Sequence, residues 1–490
     1  MRKNTRKNIR WYVKILSLLF LILWPISQAW GCFSVVVGKD ASASGCVIMA
    51  HNEDDSPPVV VNHHKMDRKR YQPDDMVVLR NGGRLEQVLQ TWAYIWSEMP
   101  GLTFSDSYLN EWGVCVASDN CPSREDQPEL ADGGINYMLR RLVAERAATS
   151  RQGVHLAGEL VEKFGYDASG RTYVICDPNE GWFFCVVNGK HWLAARVPDD
   201  EVAMVSNTYT VHEIDLSDTM NFLASEDIID YAISRGWYNP DKDGKFDFAA
   251  VYANPDVAAS ENNICRQWAG LNLVAADAVP YDQYLPFSVK PVKKLDVTDV
   301  MHILRNHYEG TDYYEVSPEN GSPHDAGVHT ICNGTTQTAF VAELRGGMPS
   351  DVGLVYWVCL GSPCTSFFVP HYFGIEDFYR GYQTMDEVPT AEYYNKKVMG
   401  PFMPDTLNAF WTSINFRNKV HAHFINLYPL VQDALIDYER RALALKKSVE
   451  ETALGLFPDY KDAALQMLEE FSRGLYKETF REMSRIPKKR

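Results

Sequence analysis

The chain has 490 residues, 46% of them apolar and 23% charged, which fits a folded globular protein and excludes a disordered or fibrous one. With 64 acidic against 48 basic residues it carries a net charge of −16, a balance that repels nucleic acid and anionic lipid surfaces. That length allows one large core or two to three typical domains.

In chain order, residues 1–31 read as a secretory leader. A basic start (Arg2, Lys3, Arg6, Lys7, Arg10, Lys14) precedes an apolar run from Ile15 to Ile26. Ala29-Trp30-Gly31 then puts small residues at the −3 and −1 positions of a cleavage site before Cys32. An uncleaved anchor is a rival reading, because the apolar run approaches spanning length. Lipid modification of Cys32 is another, although Trp30 fits a lipoprotein box poorly. Export permits disulfides. Ten cysteines are present, and reserving Cys32 leaves an odd nine. Cys176 and Cys185, on neighbouring strand segments, are the candidate bridge. Cysteine spacing is not that of a zinc ribbon, so no metal-binding cysteine cluster is expected.

Beyond the leader, Phe33–Val37 and Cys46–Ala50 are β-branched runs joined by a Gly/Ser/Asp loop, a hairpin pattern. Strands are expected at Met76–Arg80, Thr91–Ile95 and Gly113–Ser118, with Pro57-Pro58 and Asn81-Gly82-Gly83 as turns. Ile135, Met138, Leu139, Leu142 and Val143 have helical spacing, and a second helix runs from Val154 to Phe164, ended by Gly165. Strands resume at Thr172–Cys176, Trp182–Val187 and His191–Arg196, the last two flanking the hairpin signal Asn188-Gly189. Val202–Val205 follows, then helices at Asp227–Arg235 and Val297–His307. His329–Cys332, Ala339–Leu344 and Val355–Leu360 form a last strand group. From Asp405 to Arg485 the pattern is long, charged and helical, broken at Phe457-Pro458-Asp459. Hairpins with helices between them predict a layered α+β protein, and no dinucleotide or phosphate-loop motif is present.

Chemistry concentrates at Cys32. If the leader is removed there, one residue carries a thiol and a free α-amine. An amine with a pKa of about 7.7–8.0 can accept the thiol proton near neutral pH without a histidine. Both groups hang from one Cα, so proximity is built in. Donors must still stabilise the oxyanion of a tetrahedral intermediate. No cofactor is required. Alone, Cys32 reads as a buried small hydrophobe or half of a disulfide, and Asn52–Asp55 as an acidic turn. Likewise Asn120 and Asn207 read as turn residues and Arg266 as an ion-pair residue.

The run Cys32-Phe-Ser-Val-Val-Val-Gly-Lys, with Met49-Ala-His-Asn-Glu-Asp-Asp55, resembles the start of the bacterial dipeptidase family related to the secernins. These are cysteine N-terminal-nucleophile hydrolases, akin to penicillin V acylase and bile salt hydrolase. Asn110–Ala117, Arg266–Asn272 and Val355–Ser366 extend the resemblance, which runs to about Phe416. It implies a four-layer αββα sandwich over residues 32–404, with residues 405–490 as a helical segment packed on the same domain. It also implies cleavage of a small peptide, most simply a dipeptide. In the matching positions, Cys32 is the nucleophile and Asp54 the carboxylate at its amine. Asn120 falls at the oxyanion asparagine, and Asn207 and Arg266 at a later asparagine and arginine; Asn120 or Asn207 is expected to help bind the oxyanion. His51 and Asn52 fall in a substrate-binding subsite, where His51 replaces an arginine and so lacks the guanidinium fork. An acylase of non-peptide amides is the alternative on the same fold, and a membrane-anchored binding protein the non-catalytic one. The expected setting is periplasmic or extracellular, with membrane contact through the leader before cleavage, no nucleic-acid partner, and self-association left open.

Three further motifs are read as structural. Asp241–Asp247 lacks the glycine spacing of a calcium loop. His63-His64, and His324 with His329, show no metal-ligand framework, so loop or packing roles are expected. Trp92 and Trp96 read as core residues. Asn333-Gly-Thr335 matches a glycosylation acceptor.

Overall fold

The computed structural model describes residues 31–55, 59–100, 105–383 and 408–488. The expected leader up to Trp30, the Pro57-Pro58 turn and the boundary at 404/405 lie outside the described residues. Eight strands come first: β1 (Phe33–Val37), β2 (Val47–Asp54), β3 (Asn62–Met66), β4 (Met76–Val78), β5 (Arg84–Glu86), β6 (Tyr94–Glu98), β7 (Tyr108–Asn110) and β8 (Cys115–Asn120). After helices α1 (Met138–Arg146) and α2 (Ser150–Phe164) come β9 (Tyr166–Cys176), β10 (Gly181–Gly189), β11 (Trp192–Arg196), β12 (Val202–Val205) and β13 (Phe222–Ala224). Helix α3 (Glu261–Asn272), β14 (Ser288–Val289) and α4 (Val297–Leu304) follow, then β15 (Thr336–Leu344), β16 (Leu354–Leu360) and β17 (Val369–Tyr372). Helices α5 (Ala409–Ala422), α6 (Phe424–Leu456) and α7 (Lys461–Arg485) close the chain, with the break at Phe457-Pro458-Asp459 between the last two.

The strands form two large antiparallel sheets, in the orders β14-β12-β1-β2-β15-β16-β17 and β13-β11-β10-β9-β8-β7-β6-β3. Helices α3 and α4 pack on β12, β2 and β15 of the first sheet, and α1 and α2 on the second. The sheets face each other across a shared core, so the α+β expectation resolves into four layers, αββα. The five β1 residues are all buried because this strand is central and covered on both faces. Strand alternation then sorts its side chains. Phe33 reaches Gly270 on α3, where an added Cβ would lie 2.9 Å from the Phe33 ring, whereas Val36 reaches Gly181 of the opposite sheet. Caps fix the helices at the layer edges. Thr149 accepts from the Gln152 backbone N–H at the start of α2, and Asp296 with Asp299 forms a capping box on α4.

Three expectations change. Within the β9–β10 pair Cys176 lies opposite Gly181 and Cys185 opposite Thr172, four pairs apart, or roughly 13 Å at strand rise. No Cys176–Cys185 bridge can form, and all ten cysteines are free thiols. His329–Cys332 is loop rather than strand, because the Cys332 N–H bonds to the Asn306 carbonyl at the end of α4 instead of to a neighbouring strand. Finally β3, Asn-His-His-Lys-Met, was not anticipated, since its polar residues hide a buried position beside β6.

Helix α6 is fastened to the first sheet by a charged network. Arg345 donates to both Glu450 oxygens at 2.8 and 2.7 Å, Tyr372 donates to Glu450 at 2.9 Å, and Lys446 bridges Glu450 and Glu343. Removing the central carboxylate takes away Arg345's bidentate partner in a nearly dry interface and leaves Lys446 with Glu343 alone. Glu450→Ala is expected to lower unfolding free energy by about 3 kcal/mol, read as a reduced urea midpoint at unchanged m-value.

Candidate active site

Cys32 lies at the start of β1, buried to 6% exposure. By alternation its side chain belongs with Ser34 and Val36 on the face turned to the second sheet. Its thiol, a ring nitrogen of His51 and a carboxylate oxygen of Glu53 all lie within 4.8 Å of one another. The Asp54 backbone N–H bonds to the thiol. Burial first, and then the Glu53, Asp119 and Asp54 carboxylates, push the Cys32 thiol well above its ordinary range. In a chain that continues into Gly31 this thiol is therefore held neutral, and its nitrogen is an amide without basicity.

Around it, the space between the sheets holds a desolvated polar cluster. Ser34 donates to Asp119 Oδ2 at 2.5 Å and its hydroxyl meets His51 Nδ1 at 2.8 Å. On the other ring edge His51 Nε2 lies 3.2 Å from Glu53 and 3.4 Å from Asp106. Burial raises all three carboxyls, to about 7 for Glu53, about 6 for Asp106 and about 7 for Asp119. Buried Arg140 and Arg171 pull the other way. The register Ser34↔His51 places this imidazole on the inner face of β2.

Asn52, expected beside it in a substrate subsite, points to the opposite face. Its amide nitrogen donates to the Leu304 and Ile331 carbonyls at 3.0 and 2.9 Å, tying β2 to α4 and the loop before β15. A one-residue step along a strand reverses side-chain direction, so these two neighbours cannot share one subsite.

Arg266, from the middle of α3, is 2% exposed and reaches back to the start of β1. Its guanidinium donates to the Gly31 carbonyl at 2.5 Å, the Cys32 carbonyl at 2.9 Å, Asn207 Oδ1 at 2.8 Å and Asn263 Oδ1 at 2.7 Å. Asn207, just past β12, donates in turn to the Asn120 carbonyl at 3.0 Å. Asn120 ends β8 and joins through its main chain, while its side-chain oxygen accepts from Ser169 at 3.2 Å. Gly31 fits against this group as no larger residue could, since a Cβ there would lie 1.9 Å from Asn207 Oδ1.

Asp54 closes the site on the helical face of β2. Asn333 donates to its Oδ2 at 2.5 Å and His329 Nε2 lies 3.7 Å away. Asp54 Oδ1 is buried and has no hydrogen-bond partner among the described residues. Asn333 is itself 6% exposed, so in the folded protein it is a site residue and not a glycan acceptor.

Thus Cys32 and His51 share the inner face, Arg266 holds the Cys32 carbonyl and Asn207, and Asn120 is attached through its backbone. Asp54 reaches the thiol through its backbone, while its carboxylate lies on the helical face as Asn52 does. The sequence reading missed Ser34, Glu53, Asp106, Asp119 and Asn333. Ser34 and Glu53 carry a signal in hindsight, since they alternate with Cys32 and His51 on paired strands. Asp106, Asp119 and Asn333 come from distant segments.

A family model described as peptidase family C69 matches residues 122–433, a span that begins beyond Cys32. A probable dipeptidase of Latilactobacillus sakei is 26% identical over 432 residues, covering 84% of this chain and 84% of that protein. A probable dipeptidase B of Streptococcus pyogenes serotype M1 is 25% identical over 490 residues, covering 94% and 93%. Among solved structures, penicillin V acylase from Agrobacterium tumefaciens matches 70% of this chain and 86% of its own, at 13% identity and a TM-score of 0.35.

The buried acids give a pH signature. Unfolded, Asp119 loses its proton near an ordinary pKa of about 3.9, whereas folded it keeps it up to about 7. Between those values the unfolded chain binds fewer protons, so this group's effect lowers stability as pH rises and is fully present above about 7. Asp119→Asn is expected to raise the melting temperature more at pH 8 than at pH 4.5, measured by differential scanning calorimetry.

Proposed function

Because this chain belongs to peptidase family C69, we propose that it is an exported dipeptidase whose nucleophile is Cys32 and whose base is the α-amine freed by cleavage between Gly31 and Cys32. The observation that carries this reading is the pairing of a neutral, buried thiol with an unpartnered carboxylate oxygen on Asp54, whose own backbone N–H bonds to that thiol. A new ammonium at Cys32 would give the carboxylate a partner and the thiolate a counter-charge.

In the reaction the amine takes the thiol proton and the thiolate attacks the peptide carbonyl carbon. The C–N bond breaks, the departing amine receives the proton, and a thioester remains. Water then attacks the thioester, delivers the acid, and returns the proton to Cys32. Asp54 orients the α-amine. Arg266 holds the Cys32 carbonyl and Asn207, which with Asn120 serves the oxyanion. His51 occupies the subsite that faces the thiol. The dipeptidase names of the similar chains support small peptides as substrates. Export rests on the leader pattern before Cys32.

Three purified forms test the mechanism against a dipeptide panel: a chain beginning at Cys32, the same chain with one added N-terminal residue, and Cys32→Ala. The added residue is expected to lower kcat/KM at least roughly 100-fold and Cys32→Ala to abolish turnover, since the general base or the nucleophile is lost. Equal turnover by all three overturns the mechanism. Penicillin V and conjugated bile acids in the same assay separate the peptidase from an acylase. Separately, Asn207→Ala is expected to lower kcat about 100-fold, with a smaller change in KM, in steady-state kinetics.

A further inference from the structure

Outside the catalytic site, four ligand-type side chains from distant loops meet at one end of the first sheet. His307 follows α4, and His324 sits in a single helical turn, Pro323–Asp325. Cys332 precedes β15, and Cys364 lies in the turn Pro363–Thr365 after β16. One ligand atom from each lies within 4.8 Å of all the others. His324 Nε2 is 2.9 Å from His307 Nε2, 3.7 Å from Cys332 Sγ and 3.5 Å from Cys364 Sγ.

Those separations can be set against tetrahedral zinc. With Zn–S near 2.3 Å and Zn–N near 2.0–2.1 Å, the tetrahedron edges are about 3.3 Å for N to N and about 3.6 Å for N to S. The three observed edges lie within a few tenths of an ångström of this, and the remaining three are within 4.8 Å. The surroundings also fit a held ligand. His307 Nδ1 meets Glu309 Oε1 at 2.7 Å, and Glu309 Oε2 accepts from the His307 backbone N–H at 2.7 Å and from Asn306 at 3.1 Å. This carboxylate–histidine contact leaves Nε2 as the free lone pair, directed by the ring toward the sulfurs. The His421 ring of α5 packs edge-on against His324 at 4.5 Å, and Gln432 of α6 donates to the Cys364 carbonyl at 2.9 Å. The C-terminal helices thus cover the cluster.

We propose that His307, His324, Cys332 and Cys364 form a structural zinc(II) site. Two histidines and two cysteines fill a closed tetrahedral shell, with no position left for water or substrate. Both thiols deprotonate to solvent on binding, so two thiolates balance the dication. The expectation that His324 serves packing, and that the cysteines are not metal ligands, is thereby replaced. Ligand spacings of 16, 7 and 31 intervening residues resemble no finger or ribbon, because the fold and not a local loop assembles them. The site's place matters too. Cys332 adjoins Asn333, which holds Asp54, and Ser362 donates to the Asn333 carbonyl at 2.7 Å. Zinc would pin the loop that forms one wall of the catalytic site, without entering the reaction.

The test uses the full chain, tag removed and purified without chelators. Elemental analysis is expected to find one zinc per chain retained through dialysis, and at least roughly tenfold less in Cys364→Ser and His324→Gln. Cobalt(II) added to zinc-depleted wild type is expected to give the visible bands of a tetrahedral thiolate centre. Natively folded wild type with substoichiometric zinc and no cobalt bands would overturn the proposal, whatever the variants do. A non-reducing intact mass two hydrogens light, mapped to Cys332–Cys364, would overturn it as well.

Discussion

The guanidinium of Arg266 is the contact on which the site depends. It comes from the helical layer, crosses the edge of the first sheet, and fastens two successive carbonyls at the start of β1. A strand beginning is ordinarily where a chain frays. Here the start of the strand is held by a charged donor that also binds two buried asparagine oxygens. Through Asn207 the same group reaches the end of β8, so both sheets are referenced to Cys32 by one side chain.

Behind the thiol the core departs from the usual rule that charge stays outside. Ser34, His51, Glu53, Asp106 and Asp119 are all buried between the sheets. Their proximity is tolerable because burial pushes the acids toward their neutral forms. The cluster lies against the nucleophile, so the field at the sulfur is set by protons that several groups hold in common.

How much of this could be seen beforehand depends on distance along the chain. The β1–β2 hairpin, the Asn188-Gly189 hairpin, α2 and the interrupted C-terminal helices follow from local pattern and turn chemistry. Cys32, His51 and Asp54 were legible because they sit within one hairpin. Asn52 adjoins His51 in sequence, yet strand alternation turns its side chain to the other face. Asp106, Asp119 and Asn333 could not be found, since what brings them to β1 and β2 is pairing between segments dozens to hundreds of residues apart. The same applies to the four proposed zinc ligands. Cysteine pairing failed for a related reason: neighbouring strands do not imply neighbouring sulfurs until the register is known.

One consequence concerns how the protein can be made. Asn333-Gly-Thr335 would be read by an oligosaccharide-transferring enzyme while the chain is still emerging and extended, before β15 has paired with β2. A branched sugar attached at that moment occupies the very space that Asp54 later fills. Production through a eukaryotic secretory route would therefore yield a decorated polypeptide unable to shut this loop, whereas a bacterial host would not.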